Sequence, residues 1–138
     1  MRTRLPFGFV SLVIVFALGC GSSKFAPVSG KVTLNGKALP KAVVTFIPVA
    51  EAGSIEAGES SVGKTNDDGQ YTLTSTMGKN GAKVGKHKVS ISIQETRGEG
   101  DRSITTEKLP KRYNENTELT CDVPSGGKAD ANFELKSP

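Results

Sequence analysis

The chain has 138 residues, with 18 Lys and Arg against 14 Asp and Glu for a formal charge of +4. That length builds one domain around one core. Sixteen glycines, no tryptophan and 36% hydrophobic residues suit a turn-rich β domain and speak against a helical bundle.

The N-terminus reads as a secretory signal. Arg2 and Arg4 form a basic head, residues 5–18 are apolar apart from Gly8 and Ser11, and Gly19 and Cys20 end the run. The run is short for a bilayer span, which needs roughly 20 residues. Its ending ALGC, Ala17 to Cys20, resembles the lipobox of bacterial lipoproteins, with Ala17 where Leu is commonest. The resemblance implies cleavage before Cys20 and acylation of Cys20, which anchors the chain in a membrane outside the cytoplasm. Gly21 stands where an aspartate is associated with inner-membrane retention, so the outer membrane is favoured. The expected organisation is a signal peptide over 1–19, a flexible tether over 20–27 and a globular domain over 28–136. Loss of Arg2 and Arg4 lowers the formal charge to +2, and no basic patch points to nucleic acid.

Period-two alternation then recurs, the mark of half-buried strands. Residues 28–34, VSGKVTL, put Val28, Gly30, Val32 and Leu34 on one face, and Asn35-Gly36 is a turn signal. Residues 42–48, AVVTFIP, form a central strand with Ala42, Val44 and Phe46 on one face; 49–60 is an exposed loop. A short strand over 61–65 turns through NDDG, residues 66–69, into a strand over 70–75. Residues 76–85 are rich in Gly and Lys and read as mobile, whereas 86–94 alternates with Val89, Ile91 and Ile93 inward. A polar loop follows over 95–107. LPKRY at 109–113 re-enters the fold, 117–123 is a strand with Cys121 inward, PSGGK is a turn, and 129–135 is a last strand with Ala129, Ala131, Phe133 and Leu135 inward. About seven short strands without a helical period predict an all-β, antiparallel sandwich.

Several motifs invite chemistry. Residues 58–65, GESSVGKT, match the phosphate-loop pattern G-x-x-x-x-G-K-[ST]. That loop needs a buried strand before it and a helix starting at its Lys-Thr. EAGSIEA precedes and the turn NDDGQ follows, so no nucleotide is expected. Asp67 and Asp68 lack the closing glutamate of a helix-loop-helix calcium site and read as turn residues. His87 is the only histidine and reads as a packed or partly exposed strand residue, with no partner set for zinc or for a nucleophile. Cys121 reads as a buried structural thiol. Lys31 and Asn132 invite an isopeptide bond, but both face outward by parity and no buried acid accompanies them. No metal, cofactor or catalytic residue is assigned.

Taken together, VSGKVTLNGKALPKAVVTFIP and GKTNDDGQYTL resemble the carboxypeptidase regulatory-like domain, also called transthyretin-like or prealbumin-like. Gly30 and Val32 match its first element, Gly36, Leu39, Ala42 and Val44 its hairpin, and Thr65, Asp67, Gly69, Tyr71 and Leu73 its turn into a core strand. Pro40 follows Leu39 instead of preceding it, and Asn66 stands where Asp is commoner. Gly85, His87 and Val89, then Leu109, Pro110, Arg112, Tyr113 and Asn114, resemble a lipoprotein branch of the family, as do TELTCDV and ADANFEL. The resemblance implies a seven-stranded β-sandwich with no catalytic residues. It implies an accessory or surface domain with a structural or protein-interaction role. The other reading is a carbohydrate- or peptide-binding module that uses the loops 49–60 and 95–107. Partners would be the membrane, through the lipid, and a cell-surface protein or glycan.

Overall fold

The computed structural model describes residues 24–53 and 55–138. The expected signal peptide, Cys20 and the tether as far as Ser23 lie outside the described residues.

The described chain is all-β. Its strands are β1 (Phe25–Ala26), β2 (Ser29–Leu34), β3 (Lys37–Ala38), β4 (Val43–Pro48), β5 (Ser61–Lys64), β6 (Gln70–Thr72) and β7 (Thr74–Ser75). There follow β8 (Ala82–Lys83), β9 (Gly85–Ser92), β10 (Gln94–Arg97), β11 (Ile104–Glu107), β12 (Thr120–Val123) and β13 (Phe133–Leu135). Helical structure among the described residues is confined to two 3-10 turns, Gly100–Arg102 and Lys111–Tyr113. The β2–β3 hairpin closes as its turn residues dictate, with Asn35 at φ 52° and Gly36 at φ 81°.

Two sheets pack face to face. The first is antiparallel throughout, in the order β12-β9-β4-β5-β7. In the second, β2 is central. On one edge it pairs with β6 over its first half and with β3 over its second, and on the other edge with β13. The alternating residues fill the space between: Val44, Phe46, Val89 and Ile91 from the first sheet, Val32, Tyr71 and Leu135 from the second. The rings of Phe46 and Phe133 meet edge-on across the interface, 6.2 Å between centroids. Each such buried side chain contributes about 1.5–3 kcal/mol relative to exposure.

The structure departs from the sequence reading at five places. β13 runs parallel to β2, because the chain crosses from one sheet to the other at the turn 124–127 instead of folding back as a hairpin. The domain begins before residue 28: β1 lies within the expected tether, pairs with β8, and buries Ala26. The close approach depends on Gly81, where a Cβ would stand 1.8 Å from the carbonyl oxygen of Ala26. The same pairing puts Ala82 and Lys83, within the segment 76–85 that showed no strand pattern, into β8 and buries Ala82. The polar loop 95–107 is a hairpin, β10–β11. Both of its faces are largely exposed, so no apolar period marks it in the sequence. Finally, Ala129 is exposed and not inward, because a bulge in the last segment breaks the alternation.

Register fixes the two ends of the sandwich. Val43 lies opposite Ser92 at one end of the β4–β9 pair, and Pro48 opposite His87 at the other. The loop 49–60 and β1–β8 are therefore at one end, and the β10–β11 hairpin leaves from the other, about 20 Å away at about 3.3 Å per residue. The two segments named as binding loops, 49–60 and 95–107, are on opposite ends.

Candidate functional site

A polar concavity is built by the bulge. Val28 bridges Lys128 in parallel, while Val32 pairs with Phe133, so the last segment carries one extra residue between these pairings. A bulge leaves ladder groups without backbone partners. Side chains supply them. Asn132 Oδ1 accepts the backbone N–H of Lys31 at 2.9 Å. The buried hydroxyl of Tyr71 donates to the carbonyl of Ala131 at 2.5 Å; burial holds its pKa far above the usual tyrosine range. Gly30 makes room, because a Cβ there would stand 2.0 Å from the Ala131 oxygen.

The resulting cleft of about 540 Å³ is lined by Ser29, Gly30, Lys31, Lys64, Asn66, Gln70, Tyr71, Thr72, Ala129 and Asn132. That volume is within the range of small-molecule sites. Its chemistry is one-sided. It offers two ammonium groups, several amides and hydroxyls, and no acid in the lining. Neither Lys31 nor Lys64 forms an ion pair among the described residues. Such a surface suits a hydroxylated or anionic ligand and repels a cation. The sequence hinted at Asn132 through its pairing with Lys31, but the extra residue that places it was not visible.

The residues of GESSVGKT serve the fold. Ser61–Lys64 is strand β5, followed by a turn. Gly63 packs under β6, where a Cβ would stand 2.4 Å from the Thr72 oxygen. Thr65 is buried; its hydroxyl donates to the Leu39 carbonyl at 2.6 Å and accepts from the Ala42 N–H at 2.8 Å. No helix starts at Lys64 to present amides to a phosphate. In the following turn Asn66 Oδ1 accepts from the N–H groups of Asp68 and Gln70, both at 3.0 Å, and Gly69 adopts φ 74°. Asp67 and Asp68 are exposed. Among the described residues no three His, Cys, Asp or Glu side chains gather as a metal site.

His87 is fully buried on β9, beside the Phe46 ring at 5.5 Å. Desolvation lowers its pKa, and Lys83 adds to the effect, against the opposing Gly85 carbonyl and Asp122. Nδ1 lies 3.0 Å from the Gly85 carbonyl, which can only accept, so the neutral ring carries its proton on Nδ1. Nε2 is then a buried lone pair with no partner among the described residues. Across from His87 lies Cys121, half-buried against the core, and burial raises its pKa. A thiol so placed is protonated and poorly nucleophilic. A smaller cavity of 270 Å³ opens beside His87, between Pro48–Glu51 and Lys83–His87.

No protein-family model matches the chain, and no curated protein or solved structure matches it either.

Proposed function

We propose that this chain is a non-enzymatic, lipid-anchored domain of the cell envelope, of the carboxypeptidase regulatory-like class, with a structural or protein-interaction role. The observation that supports it most is the close succession of ALGC at residues 17–20 and an all-β domain whose first strand opens at Phe25. Cys20 is the lipidation site, and the outer membrane is its favoured location. The seven-stranded transthyretin-like topology belongs to this proposal; the two packed sheets, with β4 and β9 central to the first, are compatible with it. The test is intact mass and membrane fractionation. The 138-residue precursor should yield a chain that begins at Cys20 and carries acyl groups, and Cys20→Ala should move the protein to the soluble fraction. A membrane-bound, unmodified Cys20→Ala protein would count against the anchor.

A second reading rests on the bulge cleft. Its amides, hydroxyls and Lys31 and Lys64, which form no ion pair among the described residues, fit a carbohydrate with acidic groups better than an apolar peptide. The expected binding loops 49–60 and 95–107 do not form this cleft. A glycan array of neutral and uronate-bearing sugars tests it, with Lys31→Ala/Lys64→Ala as the control. Silence toward acidic glycans, or equal signal from the double variant, would remove this reading.

A further inference from the structure

We infer that the end of the sandwich carrying β1 rests on the phospholipid surface that holds Cys20, with loop-tip side chains entering its interfacial layer. The inference rests on the lipid anchor proposed above. Four residues, Gly21 to Lys24, separate Cys20 from Phe25. Fully extended, the chain from Cys20 to Phe25 reaches at most about 18 Å, at about 3.3–3.6 Å per residue. Since β1 is hydrogen-bonded to β8 and buries Ala26, the fold cannot lengthen this leash without breaking that pairing. The end with the loops 49–60 and 76–84 is therefore held near the headgroups, and the β10–β11 hairpin points away.

The distribution of exposed apolar side chains matches that orientation. Among the described residues the large exposed hydrophobics are Ile47, Val49, Ile55, Val62, Met77 and Ile104. Val49, Ile55 and Met77 all sit in loops at the β1 end, Ile55 fully exposed and Met77 77% exposed. Ile104 is the one on the distal hairpin. Loop-tip aliphatics on a solvated domain find favourable contact in an interface where apolar groups can bury.

Charge does not drive the contact. Lys79 is paired with Glu59 at 3.4 Å and lies 4.5 Å from the Phe25 ring centroid; Lys83 Nζ donates to the Ala57 carbonyl. Glu51, Glu56 and Glu59 share this end with the exposed Lys24 and Lys86, so acids and bases nearly balance there. The fitting occupant is a zwitterionic phospholipid surface, with apolar side chains supplying the affinity.

The chain has no tryptophan, so a single indole reports its own depth. Ile55→Trp, Met77→Trp and Ile104→Trp are made in the acylated protein and reconstituted into phosphatidylcholine vesicles with brominated acyl chains. Emission from Ile55→Trp and Met77→Trp should shift to the blue and lose intensity, and Ile104→Trp should match its spectrum in buffer. If the acylated protein floats with the vesicles but all three indoles behave as in buffer, the docking inference is wrong and the anchor stands. If Cys20 carries no lipid and the protein does not float, the anchor reading fails and takes this inference with it. A blue shift of Ile55→Trp in the Cys20→Ala protein without vesicles would place a second copy of the chain on this surface and overturn the lipid assignment.

Discussion

Replacing Thr65 by valine tests whether this residue belongs to a phosphate site or to the frame of the fold. Valine keeps the shape and removes the hydroxyl. In the structure that hydroxyl links the Leu39 carbonyl at 2.6 Å to the Ala42 N–H at 2.8 Å, and both Ala42 and Leu39 are buried. The Thr65→Val protein would hold an amide and a carbonyl without these partners. Each buried group left so costs about 1–3 kcal/mol. Backbone relaxation recovers part of that, so Thr65→Val should lose about 2–4 kcal/mol, a large share of a typical total of about 5–15 kcal/mol. With a urea m value of about 1.5 kcal/mol/M, the unfolding midpoint should fall by about 1–3 M at unchanged slope. Thr65→Ser retains the hydroxyl and loses only a methyl, so it should keep most of the stability. Urea unfolding followed by far-UV circular dichroism measures all three proteins. A Thr65→Val midpoint within about 0.3 M of the wild type, equivalent to about 0.5 kcal/mol at the same slope, would refute the reasoning.

His87 predicts a pH dependence. Its folded pKa lies below the ordinary value of 6.5, so the unfolded chain binds the proton more readily. Stability is then fully present above about pH 6.5 and falls as pH drops below it, by up to about 1.4 kcal/mol per unit until the folded ring protonates. His87→Gln cannot titrate and should flatten that slope; an unchanged slope in thermal melts from about pH 7 to about pH 5 would exclude His87 as the cause. Gly30→Ala drives a Cβ into the Ala131 carbonyl and away from the geometry that Tyr71 clasps. It should destabilise by about 1–3 kcal/mol, visible as a lower melting temperature, and a neutral effect would count against the bulge as drawn. Glu107 Oε1 accepts the N–H groups of both Ile93 and Leu109 at 2.9 Å. Glu107→Ala should speed amide exchange at these positions and cost about 1–3 kcal/mol, whereas Glu107→Gln should retain most protection; equal exchange rates in both variants would contradict that role.

The class of fold and the identity of its core strands were legible in the order of residues alone. In β9 strict alternation announces the inward face through Val89 and Ile91, whereas in β4 apolar residues on both faces mark a central strand with Val44 and Phe46 inward. The Asn35-Gly36 and Asn66–Gly69 turns were equally legible, because local chemistry sets them: positive φ in both, and an Asx side chain on nearby amides in the second. The limits of GESSVGKT were legible too, since the required helix has no place before a turn. Other features came into being with the packing of the sheets. The β10–β11 hairpin carries no hydrophobic period because both its faces meet solvent. β1 and β8 are two-residue strands that exist only because Gly81 lets two backbones meet. The parallel β13 and its extra residue depend on where the chain crosses between sheets, and period two cannot encode that. The candidate cleft comes from this last feature. Lys31, Lys64 and Asn132 lie on three separate segments, and one bulge, clasped by Tyr71 and Asn132, brings them to one surface. Side-chain pattern is local and survives in the sequence, whereas the meeting of distant backbones is not and appears only once the sheets are packed.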